Sequence, residues 1–198
     1  MPLLSEVYMR FIVVDGLDGV GKDTHAYRIK ERYENGGEKV LIRSHPATDN
    51  YFGKKAKKAL LGSGKFNKVK ASIFYMLDVL RSIRKYYRKG KCDTLIMVRY
   101  LIGTAYLPKK LVNLGYNFFY HFVPTSNYMF FLDAPPDVLI KRVKKRNEKE
   151  IFETFDSLIK VRSKSIQLVK DWIIIDTSGT IEETASLIEK KLDYLDNN

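Results

Sequence analysis

Nine residues near the amino terminus, Gly16 to Thr24, read GLDGVGKDT. Glycines at positions 16, 19 and 21 let backbone N–H groups converge on one point, and Lys22 adds a mobile positive charge; together they suit a polyphosphate. The pattern G-x-x-x-x-G-K-[ST] closes on a small hydroxyl that ligates magnesium, but this chain places Asp23 there and keeps a hydroxyl one residue later, in Thr24. A carboxylate beside polyphosphate repels it unless a cation bridges the two. Asp23 is therefore expected to help hold Mg2+, directly or through water, with Thr24 serving the neighbouring phosphate. The plain alternative is a helix-start acid favoured by the helix dipole. Asp18, Gly19, Val20, Gly21, Lys22, Asp23 and Thr24 are the expected nucleotide-binding residues.

Such a loop works only between a strand and a helix, and the flanking residues supply both. MRFIVVDG is a short β-branched run that suits a buried strand, and the residues from Lys22 to Arg32 have helical character until ENGG stops them. KVLIRS, TLIMV, NYMFFLD and WIIID read as four further strands. Between them lie expected helices at Tyr51–Leu61, Phe66–Arg88, Tyr100–Phe122, the PPDVLIKRVKKR segment and Ile151–Lys170. A last helix opens with the capping-box pair Thr180 and Glu183. Val69, Ile73, Met76, Leu77, Leu80 and Ile83 are expected to form the apolar face of the long helix. Strands that are apolar throughout and alternate with helices predict a parallel sheet covered on both faces.

The chain has 198 residues, 45% of them hydrophobic, and no Ser/Gly/Pro-rich linker divides it, so one domain is expected. Its single cysteine, Cys92, excludes an intrachain disulfide, and no window approaches the uncharged length needed to span a membrane; cytoplasm is the expected location. The net charge of +12 fits anionic small substrates, a nucleic-acid partner or a solvated surface alike.

Taken in order, the segments resemble the thymidylate kinase family, within the nucleoside monophosphate kinase group of phosphate-loop (P-loop NTPase) proteins. VVDGLDGVGKDT is similar to that family's opening loop, LIRSHP to its strand ending in Arg-Glu-Pro, and VRYLIGTAY to its Asp-Arg-Tyr segment leading to Ala-Tyr. FLDAPPDVLIKRVKKRN resembles its Leu-Asp-x-x-Pro helix and arginine-rich lid, and IIIDTSGTIEET its adenine-side loop. The resemblance implies a doubly wound α/β fold on five parallel strands, with a lid near residues 142–152. It also implies ATP and Mg2+, a nucleoside monophosphate acceptor such as dTMP, and a homodimer. By the same resemblance Arg99 touches the acceptor phosphate and the transferred group. Gly19 matches the subgroup that supplies its catalytic arginine from the lid, which makes Arg142 and Arg146 candidates. Asp18 would accept from the sugar 3′-hydroxyl, Phe74 would stack on the acceptor base, and Arg43 and Tyr106 would line the pocket.

Three departures bear on specificity. The family's Asp-Arg pair is Val98-Arg99 here, its Arg-Glu-Pro corner is Arg43-Ser44-His45-Pro46, and its arginine four residues after the stacking phenylalanine is Asp78. An ionised Asp78 would suit a base with an exocyclic amino group. Arg81, one turn on, would instead restore a donor for thymine, with Asp78 steadying it, unless both are simply exposed. Thymidylate read through Arg81 is the favoured outcome. Two other classes compete with a kinase: a nucleotide-binding protein that does not transfer phosphate, and, ranked last, an ATPase associated with nucleic acid.

Overall fold

The computed structural model of the protein describes residues 9–62, 64–107, 109–145 and 155–198. Five strands, β1 (Arg10–Gly16), β2 (Val40–Ser44), β3 (Thr94–Val98), β4 (Tyr128–Asp133) and β5 (Ile173–Asp176), form one sheet in the order β2-β3-β1-β4-β5. Every pairing is parallel. Helices α1 (Lys22–Asn35), α2 (Tyr51–Leu60), α3 (Lys65–Ser82), α4 (Lys109–Phe122), α5 (Pro136–Lys145), α6 (Phe155–Leu168) and α7 (Ile181–Asp196) provide the crossovers and the last layer. The expected doubly wound architecture is therefore present. The three inner strands β3, β1 and β4 are buried along nearly their whole length, as their apolar runs require. Among the described residues no helix is long and apolar enough to cross a membrane.

Register fixes where chemistry can happen. Val14 of β1 and Ser44 of β2 both stand opposite Val98 of β3, so Arg99 leaves the sheet between two strand ends. On the other side of β1, Gly16 stands opposite Leu132. There a Cβ would lie 2.3 Å from the Leu132 carbonyl oxygen, so only glycine lets the chain turn into the loop at that point.

Three expected elements differ in detail. The helix expected over Phe66–Arg88 is α3 followed by a π-helical turn at Ile83–Tyr87. Its buried side carries Ser72, Tyr75, Met76, Asp78, Val79 and Ser82, while Ile73 and Leu77 of the expected apolar face are 55% and 36% exposed. The helix is rotated so that polar residues with partners on the β2 corner face inward. The segment expected to be helical over Tyr100–Phe122 is a 3-10 turn at Ile102–Tyr106 and then α4. The helix expected over Ile151–Lys170 is described from Phe155 as α6, and residues 146–154, which hold Arg146 and most of the expected lid, lie outside the described residues. The Thr180/Glu183 capping box opens α7 as expected.

Candidate active site

The loop from β1 to α1 closes around its own lysine. Gly21 holds a left-handed backbone, φ 86°, immediately before α1, and no described side chain caps the helix, so its first turn faces the loop with N–H groups and positive dipole. Lys22 is buried and donates to the Leu17 carbonyl at 2.6 Å, with Asp18 Oδ1 3.6 Å from its Nζ. Burial pushes its pKa below the ordinary lysine value, and the positive charge of Arg99 pushes the same way. A ligand that brings negative charge beside Lys22 therefore relieves both. Val20 packs into the core beneath the loop, and Thr24 is exposed on the first turn of α1. Gly19 lies against α5: a Cβ there would be 3.2 Å from the Leu139 carbonyl and from Val143. A side chain at this loop position would press on that helix and strain a backbone held at φ 90°.

Arg99, Asp23, Asp18 and Lys22 come together, although Arg99 is 76 residues from Asp23. Asp23 accepts from Arg99 Nη1 at 3.1 and 3.3 Å and from the Ser44 hydroxyl at 3.3 Å, and Asp18 Oδ1 lies 3.9 Å from Arg99 Nη2. Burial opposes the charge on Arg99, but Asp23 and Asp18 outweigh it and hold the guanidinium above its ordinary pKa. Arg99 also has φ 59°, the sole positive φ at a non-glycine residue among the described residues. That conformation costs about 1–3 kcal/mol and persists only where its surroundings enforce it.

Sequence reasoning missed the residue that organises this corner. Asp15, buried at the end of β1, accepts from Gly16 N with one oxygen and from the N–H groups of Tyr100, Leu101 and Ile102 with the other, at 2.7–3.0 Å. It ties the start of the phosphate loop to the segment after Arg99. An acid ending an otherwise apolar strand was the available signal.

The remaining candidates divide into two further groups. Arg43 is turned to α3 and not to the loop: it donates to both oxygens of Asp49 and to the Ser82 hydroxyl, and its guanidinium lies over the Tyr86 ring. Asp78 is fully buried; its two oxygens accept from Ala47 N at 2.6 Å and Asn50 Nδ2 at 2.7 Å. Both oxygens thus brace the loop after β2, Arg43 Nη2 lies 3.9 Å from Oδ1, and the carboxylate is closed off from solvent, which corrects the expectation that Asp78 faces the acceptor base or steadies Arg81. Arg81 is partly buried, and its Nη1 has no hydrogen-bond partner among the described residues, so the expectation that it is simply exposed also fails. Phe74 is half-buried with its ring edge-on to Tyr51, and Tyr106 is half-buried at the end of the 3-10 turn. Arg142 reaches from α5 to the carbonyls of Ser178 and Gly179, on the loop between β5 and α7, at 3.4 and 3.0 Å.

A phosphate loop at the switch point of a doubly wound sheet, with an arginine at the neighbouring strand end, is the layout that binds and transfers phosphoryl groups. The family model for thymidylate kinase matches residues 14–188. The chain belongs to the thymidylate kinase family. A probable thymidylate kinase of Archaeoglobus fulgidus is 27% identical over 187 residues, covering 92% of this chain and 94% of the relative. One from Thermococcus kodakarensis is 29% identical over 175 residues, covering 81% and 84%. Among solved structures, thymidylate kinase from Candida albicans superposes with a TM-score of 0.76 at 15% identity, over 96% of this chain and 93% of the other. Deoxyadenosine kinase from M. mycoides, solved with bound dATP, gives 0.67 at 18% identity, over 92% and 99%. At such identities the two structures speak for the fold, that of the P-loop nucleoside monophosphate kinases. Within this thymidylate kinase family member, Val98 is a buried strand residue, and the carboxylate next to Arg99 is Asp23.

Proposed function

We propose that the protein transfers the γ-phosphoryl group of ATP to dTMP, giving dTDP and ADP, as one P-loop kinase domain acting in the cytoplasm. The observation that carries this reading is the convergence of Lys22 and Arg99 on the open N-terminus of α1. Phosphoryl transfer asks a protein chiefly for positioning and for cations around spreading negative charge. The loop N–H groups and Lys22 bind the outer phosphates of ATP, and Arg99 turns from Asp23 to the acceptor phosphate and the transferred group. Asp18 meets the acceptor sugar, while Phe74 and Arg81 on α3 face its base, Arg81 with a buried N–H ready to donate. Arg142 holds the loop at residues 178–179 against the nucleoside of ATP.

Mg2+ fits the residues present. It needs few protein ligands when phosphates and waters supply the others, and the exposed side chains of Asp23 and Thr24 at the mouth of the loop can provide them. Bound there, it would neutralise charge on the phosphates. The family resemblance also supports a homodimer, for which Phe66, Ile73 and Leu77 on the outer side of α3 offer an exposed apolar row.

ADP formation measured with dTMP, dUMP, dCMP, dAMP and GMP as acceptors tests the reading. The highest kcat/KM is expected for dTMP. Absence of ADP formation with every monophosphate would refute the kinase reading, and preference for an amino-bearing base would refute the choice of acceptor.

A further inference from the structure

Arg99 sits in a backbone conformation that its own residue type does not favour, so something outside it must impose that conformation. The Arg99–Tyr100 peptide is pinned at both ends. Its N–H, from Tyr100, donates to Asp15 Oδ2 at 2.7 Å, and its carbonyl, from Arg99, accepts from His45 Nδ1 at 3.2 Å. Since a carbonyl can only accept, His45 must carry its proton on Nδ1, which leaves Nε2 as an acceptor. Nε2 lies 2.9 Å from the Ser82 hydroxyl, which donates to it and in turn accepts from Arg43 Nε at 3.1 Å. The chain of donors from Arg43 through Ser82 and His45 to the Arg99 carbonyl thus runs in one direction and permits one tautomer. Its members are buried or nearly so: His45 is 1% exposed and Ser82 fully buried. Burial also pushes the imidazole pKa down to about 4, against the pull of Asp78, so the ring stays neutral and keeps both roles at working pH.

The residue before His45 grips the same arginine from the other side. The Ser44 hydroxyl accepts from Arg99 Nη1 at 3.1 Å, and His45 N donates to the Val98 carbonyl at 3.0 Å. The Ser-His corner therefore holds Arg99 by backbone and by guanidinium at once. No other described side chain is recorded on the Arg99 carbonyl. We propose that His45 is a positioning residue of the transfer step, fixing through its Nδ1–H the left-handed Arg99 backbone that aims the guanidinium at the transferred phosphoryl group. This rests on the kinase reading above and assigns a role to the corner where the chain departs from the family's Arg-Glu-Pro pattern.

A double-mutant cycle on kcat tests it. Arg99→Ala should lower kcat by about 10³-fold, the scale of a transition-state arginine. His45→Ala should lower it by about 10²-fold, the scale of a misplaced catalytic group, while KM for ATP stays unchanged because the phosphate loop is untouched. In the Arg99→Ala background His45→Ala should cost nothing further, since the group it positions is gone. His45→Asn, which can present an N–H near the place of Nδ1, should recover most of the rate. Ser82→Ala keeps the imidazole but frees Nε2; it should show a smaller loss, again absent without Arg99, and carries the test should His45→Ala fail to fold. A loss from His45→Ala or Ser82→Ala that repeats in full without Arg99, or a wild-type kcat in both variants, overturns the proposal while leaving the kinase reading intact. A wild-type protein that forms no ADP with any monophosphate overturns both.

Discussion

Replacing Asp78 with alanine separates a brace from a reader of the acceptor base. The carboxylate is fully buried, and its loss leaves two N–H groups without their acceptor, that of Ala47 and one of the Asn50 side-chain amide, whose nitrogen keeps Asp49 Oδ1 at 3.1 Å; each residue is only 7% exposed. A buried donor left without a partner costs about 1–3 kcal/mol, so two cost roughly 4 kcal/mol. Asn50 also caps α2 through Gly53 N at 3.1 Å, and a loosened cap adds about 1 kcal/mol. For a chain of this length each kcal/mol moves Tm by roughly 2–4 °C, so Asp78→Ala should melt about 10–20 °C below wild type. Asp78→Asn, which keeps one acceptor oxygen, should lose about half as much. Thermal and urea unfolding measure this, with the acceptor panel repeated well below the melting range. A brace predicts lower stability with an unchanged order of acceptors. Wild-type Tm combined with a changed order of acceptors would refute the bracing argument and return Asp78 to the base.

Two further outcomes follow from the charges in the site. Asp23→Ala should raise the Mg2+ concentration needed for half-maximal turnover; an unchanged Mg2+ dependence in titrations of ADP formation would mean that Asp23 serves Arg99 alone. His45 has a folded-state pKa of about 4 against an ordinary 6.5, so the unfolded chain takes up its proton first as pH falls. Its contribution is therefore complete above about pH 6.5 and declines as pH falls toward 4, by roughly 3 kcal/mol in all. Asp78 and Arg43, the charged groups facing the ring, remain in His45→Asn. Urea unfolding at pH 7.5 and pH 5 should accordingly show wild type losing about 2 kcal/mol more than that variant. Equal losses in the two proteins would show that His45 does not titrate in this way.

The phosphate loop was legible because its signals are local: a β-branched strand, glycines at fixed spacing, a lysine and a helix start occupy fifteen or so consecutive residues. The parallel sheet came from the apolar strands themselves and its doubly wound, five-stranded form from family resemblance, while the strand order came only with the structure. What escaped was pairing across long separations. Asp78 shares a helix side with Phe74 by its i, i+4 spacing, yet its partners Ala47 and Asn50 are 31 and 28 residues away, and they decide which way it points. The inward face of α3 was misjudged for the same reason: apolar periodicity picks out Ile73 and Leu77, but Asp78 and Ser82 go inside because the β2 corner needs partners there. The pair of Asp23 with Arg99, each singled out separately, joins two segments whose approach only the strand register reveals.

On the proposed reading, that pair accounts for how the chain would manage without a carboxylate at position 98. The site balances its own charge: Lys22 lies beside Asp18, and Arg99 beside Asp23 and, more distantly, Asp18. A polyphosphate entering the loop competes with both carboxylates for both cations. Once Arg99 has turned to phosphate, Asp23 is left with the N-terminal dipole of α1 and the Ser44 hydroxyl, which offset only part of its repulsion from the incoming charge. Asp23 and Thr24 are the residues that would help hold a divalent cation brought with the nucleotide, and its charge would offset that repulsion. On the proposed reading, then, the carboxylate that holds Arg99 is also the one that would face the metal. A family member with its acid beside the arginine on the strand needs no such exchange. On the same reading, the single-residue shift from hydroxyl to carboxylate after Lys22 would couple release of the arginine to binding of metal-bound nucleotide.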